Sequence, residues 1–88
     1  MNYELVFEKN AEKFINKHKI EADKFINAFK DIVNNYPEAL QKYDIKKLAG
    51  MVDIYRLRIG KYRAVYTIKH NQLIILVLKI GSRGDIYK

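Results

Sequence analysis

No cysteine occurs anywhere in these 88 residues. Disulfides, thiolate nucleophiles and cysteine-ligated zinc are excluded together, and such a chain suits a reducing compartment. Histidine is almost as scarce. His18 and His70 are the only two, neither lies among acidic residues, and they fall in unrelated segments. Neither a metal site nor a histidine acid–base pair is therefore expected. The longest apolar run, residues 73–78, is far short of the roughly 20 residues a membrane helix needs. The opening Asn2-Tyr3-Glu4 is not a charged-then-apolar leader, so a cytoplasmic location is expected. Glycine is rare too, and Gly60, Gly81 and Gly84 read as turn residues rather than as a phosphate-cradling loop. Repeats and low-complexity linkers are missing, and a single domain over residues 1–88 is expected.

What the chain has is positive charge, unevenly placed. Residues 45–88 hold ten Lys and Arg against two acids, Asp53 and Asp85. Residues 1–44 hold seven Lys against eight acids, so the net charge of +7 sits in the second half. All four arginines, Arg56, Arg58, Arg63 and Arg83, lie there. The guanidinium fork fits phosphate in a bidentate way, so this clustering points to a phosphate backbone as partner.

Residues 2–7 are rich in β formers and read as a strand. The period then changes: Ala11, Phe14, Ile15 and His18, followed by Ala22, Phe25, Ile26, Phe29, Ile32 and Val33, recur at helical spacing. This predicts a helical hairpin with a tight connection at Lys19-Ile20-Glu21. Asn34-Asn35-Tyr36-Pro37 ends the second helix, and residues 38–43 fit either one helical turn or a loop. Strands are predicted at 53–59, 62–69 and 72–80. Gly60-Lys61 joins the first pair as a type II′ turn, His70-Asn71 joins the second, and residues 85–88 form a short strand or a tail. The fold class is α+β: an N-terminal strand, a helical hairpin, then a C-terminal antiparallel β-meander.

A two-residue turn pairs Ile59 with Tyr62 and Arg58 with Arg63. Side chains alternate along a strand, so Arg56, Arg58 and Arg63 share one face. Tyr55, Leu57, Ile59, Tyr62, Ala64, Tyr66 and Ile68 take the other, the natural seat of the helices. The arginine face carries no compensating acid on this reading. Like charges opposite one another cost ~0.2–1 kcal/mol, a repulsion that an anionic ligand would relieve. Lys79 has no assigned face. Tyr87, near the end of a polar tail, is suited to stacking on a base.

The segments Lys47-Leu48-Ala49-Gly50, Tyr55-Arg56-Leu57-Arg58-Ile59-Gly60, Tyr62-Arg63-Ala64-Val65-Tyr66, Gly81-Ser82-Arg83 and Asp85-Ile86-Tyr87 resemble the RelE toxins of the RelE/ParE toxin–antitoxin superfamily. The matching segments cover about half the chain. The resemblance implies a metal-independent mRNA endonuclease without a cofactor, cutting codons in the ribosomal A site by attack of a ribose 2′-oxygen on the adjacent phosphate. It implies that Arg63 contacts the scissile phosphate. Arg83 stabilises charge or protonates the leaving group, and Tyr87 stacks on the base. Arg56 and Arg58 stand where well-studied relatives carry lysines, and arginine is a poor proton acceptor. They suit holding charge; if a base is needed, Lys47 and Lys61 are the nearby lysines, with water as the alternative acceptor, and Lys46, Lys47 and Lys61 are RNA- or ribosome-binding residues. A RelB-like antitoxin, the ribosome and mRNA are the implied partners. Two other readings share the fold: a ParE-like gyrase poison, and an RNA- or ribosome-binding module with weak or no catalysis.

Overall fold

The structure is a computed structural model, and it describes residues 3–48, 50 and 52–82. The first strand, β1, spans Glu4–Phe7, followed by helices α1 (Lys9–Lys17) and α2 (Lys19–Asn34). The apolar stripe buries as its spacing demands: Ala11 and Phe14 from α1, and Ala22, Phe25, Ala28, Phe29, Ile32 and Val33 from α2. Ile15 and Ile26 are only half-buried. The break between the helices is one residue earlier than expected. His18 alone leaves helical geometry (φ −125°, ψ 67°), its N–H still donating to the Phe14 carbonyl at 2.8 Å. Lys19, Ile20 and Glu21 already form the first turn of α2.

A short 3-10 turn, Glu38–Lys42, follows α2. Asp31 holds it in place. Its carboxylate accepts from Tyr43 Oη (2.7 Å), Asn35 Nδ2 (2.7 Å) and Lys42 Nζ (3.2 Å). The Tyr43 hydroxyl is the main reason its carboxyl titrates below the usual range, with Asn35 and Lys42 adding to it against partial desolvation.

Four further strands complete the sheet: β2 (Asp44–Lys47), β3 (Ile54–Ile59), β4 (Tyr62–Lys69) and β5 (Ile74–Ser82). Their order is β1-β5-β4-β3-β2. β2 was not expected from the sequence. The sheet is also mixed rather than antiparallel throughout, because β1 lies parallel to β5, Glu4 opposite Ile74 and Phe7 opposite Val77. The interior place of β5 explains its double-sided apolar run. The second turn is longer than His70-Asn71: Gln72 and Leu73 belong to it, with Leu73 at φ 55°. At the other end β5 runs through Gly81 to Ser82, where a break was expected.

One face of the sheet seats both helices. Leu57, Ala64, Tyr66, Ile75 and Val77 meet Phe25, Phe29 and Ile32 in a single core. Tyr66 is fully buried, stacked on Tyr55 (5.6 Å between ring centroids) and edge-on to Phe29 (5.3 Å). Its hydroxyl has no hydrogen-bond partner among the described residues. An unpaired buried hydroxyl costs about 1–3 kcal/mol. Tyr66→Phe should therefore leave stability unchanged or raise it by about 1 kcal/mol, whereas Phe29→Ala should cost about 3–5 kcal/mol. Urea denaturation of both variants checks this; a Tyr66→Phe protein clearly weaker than wild type would show that the hydroxyl is satisfied in solution.

Candidate nucleic-acid interface

The β3–β4 hairpin has the predicted register, with Ile59 opposite Tyr62, Arg58 opposite Arg63 and Leu57 opposite Ala64. Gly60 sits at φ +61° while Lys61 has no positive φ, the pattern of signs in a type II′ turn. Arg56, Arg58 and Arg63 consequently share the face turned away from the helices. Their surroundings differ from expectation in three ways.

First, a compensating acid is present. β2 pairs with β3 so that Asp44 lies opposite Arg58 and Lys46 opposite Arg56. The Asp44 carboxylate accepts from Arg56 Nη2 at 2.9 Å and from Arg58 Nε at 2.8 Å. Desolvation pushes its carboxyl upward, but the two guanidiniums together outweigh that and hold it below the ordinary carboxylate value. The signal in the sequence was Asp44-Ile45-Lys46-Lys47. Ile45 packs against the core while Asp44 and Lys46 point away from it. One apolar residue is too little alternation to announce a strand.

Second, the arginines are not equivalent, and they are not alone. Arg56 is only 8% exposed, whereas the Arg58 side chain is 49% exposed. Arg56 is thus the inner half of an ion pair. Arg63 has no carboxylate partner among the described residues; its Nη1 donates to the Lys61 carbonyl at 3.4 Å. Val65, 7% exposed, lies opposite Arg56 on the same face.

Third, the lysines divide. Lys46 joins the arginine face, but Lys47 lies opposite Tyr55 and so points to the helix side. Lys61 forms the hairpin tip between the two faces. A bulge in β5 settles Lys79: Tyr66 pairs with Val77 and Val65 with Lys79, which leaves Leu78 as the extra residue. Lys79 therefore also joins the arginine face. Arg83 and Tyr87 lie outside the described residues.

The resulting surface holds Arg58, Arg63, Lys46 and Lys79 around one carboxylate, which suits a polyanion. Its cationic side chains are donors suited to anionic oxygens. Among the described residues no cluster of three or more His, Asp or Glu could hold a metal ion. No helix there is long and apolar enough to cross a membrane.

Comparison with known proteins places this chain among toxins. Residues 5–87 match the family described as the ParE toxin of the type II toxin–antitoxin system parDE. "Putative toxin RelE1" of Methanocaldococcus jannaschii is 36% identical over 66 residues, 72% of this chain and 73% of that protein. Among solved structures, the archaeal RelE–RelB complex from Pyrococcus horikoshii OT3 superposes with a TM-score of 0.75 at 32% identity, covering 97% of this chain and 99% of the other. The RelB–RelE antitoxin–toxin complex from Methanococcus jannaschii gives 0.75 at 25% identity, covering 93% and 94%. The family description is of the ParE kind and these relatives are of the RelE kind; the two share a fold.

The Asp44 pair has a pH signature. A carboxyl depressed on folding stabilises above its unfolded value, about 3.9, and that contribution is lost as pH falls through the lower folded value. The stability gap between wild type and Asp44→Asn should be constant near neutrality and should close as pH falls through the lowered folded value. Thermal melts across pH would detect it. A gap that persists unchanged at the acid end would mean the pair makes no pH-linked contribution.

Proposed function

This chain belongs to the RelE/ParE superfamily and is a toxin of the type II toxin–antitoxin kind, and from that premise we propose that it is a ribosome-dependent endonuclease that cuts mRNA in the A site. The observation that carries the reading is Arg63, half-buried and without an acid partner among the described residues, opposite Arg58 on a cationic sheet face.

The reaction is an in-line displacement. The ribose 2′-oxygen attacks phosphorus and loses its proton, a 2′,3′-cyclic phosphate forms, and the bond to the 5′-oxygen breaks as that oxygen takes up a proton. Negative charge grows on the non-bridging oxygens, where Arg63 and Arg58 supply fixed cations. Arg56 acts from beneath, with Asp44 fixing the planes of both guanidiniums. Arg83, the residue after Ser82, offsets charge on the departing oxygen, and Tyr87 holds a base by stacking.

Arginine stays protonated at any working pH, so neither Arg56 nor Arg58 takes the 2′-proton. Lys46 shares their face and Lys61 stands at the tip beside Arg63; either lysine, or water, accepts it. Lys47 faces the helix side and is the weaker candidate. Catalysis that rests on alignment and charge leans on the ribosome for geometry. The partner that silences the toxin is a RelB-like antitoxin with an acidic or amphipathic segment that masks the basic face. The RelE relatives from Pyrococcus horikoshii and Methanococcus jannaschii were solved as complexes with RelB.

Purified programmed ribosomes provide the test. Wild type should generate new mRNA 5′ ends within the A-site codon, and none on naked mRNA. Arg63→Ala and Arg83→Ala should each lower the cleavage rate by about 10²-fold or more. The ParE-type family match keeps a gyrase poison as the second reading. A folded protein that arrests growth, cuts no codon and inhibits supercoiling would replace the endonuclease with it.

A further inference from the structure

On the helix side of the same hairpin lies a cleft of about 490 Å³ between α1 and the ends of β4 and β5. Its floor is aromatic. Phe14 stacks on His18 (4.7 Å between centroids, 30° between planes), and Tyr62 meets both rings, at 5.2 Å and 5.9 Å. Its rim is cationic: Lys13 and Lys17 one helical turn apart on α1, and Lys61 facing them from the hairpin tip. All three lysines are exposed. Lys61 Nζ lies 5.4 Å from the centre of the Tyr62 ring. No carboxylate lines the cleft, and none forms an ion pair with these lysines among the described residues.

Folding alone gives no reason for this grouping. Lys13 and Lys17 are like charges at a spacing that weakens a helix. His18 and Tyr62 are half-buried, so they present ring surface to the cleft instead of sealing it. Aromatic faces beneath a cationic rim are what single-stranded nucleic acid requires: bases stack on the rings while phosphates meet the lysines. The cleft is also continuous with the arginine face. Lys61 lines it, and the Lys61 carbonyl accepts from Arg63.

We propose that this cleft is a second RNA-binding site, which holds a nucleotide flanking the segment on the arginine face, its base against His18 and Tyr62 and its phosphates between Lys61 and the Lys13–Lys17 pair. The inference rests on the endonuclease reading and extends it. RNA passes around the hairpin tip, so that both faces of the sheet grip one strand. An acidic protein segment would also meet the lysines, but it would leave the aromatic floor unused.

Binding of a short fluorescent single-stranded oligoribonucleotide to the free full-length protein, followed by anisotropy, tests the site without the ribosome. Lys13→Ala/Lys17→Ala should weaken binding about tenfold at near-physiological salt and lower the salt slope by about two. Lys30→Ala/Lys42→Ala, which removes equal charge from exposed positions away from both the cleft and the arginine face, should change affinity much less. His18→Ala should weaken binding of the oligonucleotide but not of an abasic oligomer of the same length; equal losses for both would remove the stacking role and overturn the proposal. Circular dichroism confirms that each variant is folded. The proposal also fails if wild type does not bind the oligonucleotide, or if the α1 pair behaves like the control pair. It fails equally if the α1 pair loses only the binding of an oligoglutamate peptide, which would assign the cleft to an acidic protein. In each of these cases A-site cleavage by wild type, lost in Arg63→Ala, would leave the endonuclease reading standing. Absence of that cleavage would remove the endonuclease reading itself.

Discussion

The pairing of Ile59 with Tyr62 across Gly60 is the constraint on which the rest of this molecule depends. Strand side chains alternate, so a slip of one residue would exchange the two faces of the hairpin. Leu57, Ala64 and Tyr66 would leave the core, and the arginines would be driven into it. Core and charged surface are thus specified by one turn. The turn in turn needs a residue that accepts φ +61°, which glycine does at no steric cost. A β-branched residue there would threaten both.

The arginine face is less simple than a cluster of like charges. Asp44 takes up the repulsion between Arg56 and Arg58, orders both side chains and leaves Arg63 as the guanidinium without a carboxylate among the described residues. The three arginines are thus graded: Arg56 is buried in the ion pair, Arg58 is half-exposed beside the same carboxylate, and Arg63 has no carboxylate among the described residues. Fixing the geometry before the ligand arrives lowers the ordering cost of binding. Any anion brought to this face would compete with the carboxylate for the same donors. Affinity and preorganisation are therefore set against each other by a single residue.

Much of this was legible in the sequence. The helical stripe from Ala11 to Val33 and the hairpin register follow from periodicity and turn chemistry, both of which are local. What could not be read depends on contacts between distant segments. β2 carries one inward apolar residue, Ile45, and becomes a strand only because β3 offers it an edge. The parallel pairing of β1 with β5 leaves no local trace. Lys79 reached the arginine face through a bulge at Leu78, which breaks the alternation any face assignment must assume. Asp44 was overlooked for the same reason as β2, since a residue outside a recognised strand has no face. The cleft under α1 escaped notice because its lysines and rings come from three separate elements.

The parallel contact between Glu4–Phe7 and Ile74–Val77 has a consequence for the life of the chain on the machine that makes it. β1 has no neighbour in the sheet until β5 is made, and Ile75 and Val77, on which the helices rest, arrive with it. Contacts this distant in sequence delay folding. A nascent chain therefore carries its helices, Arg56, Arg58 and Arg63 before it has the strand that completes the sheet around them. The alignment of the Arg58–Arg63 face therefore waits on β5, the strand farthest from β1 in sequence among the described residues.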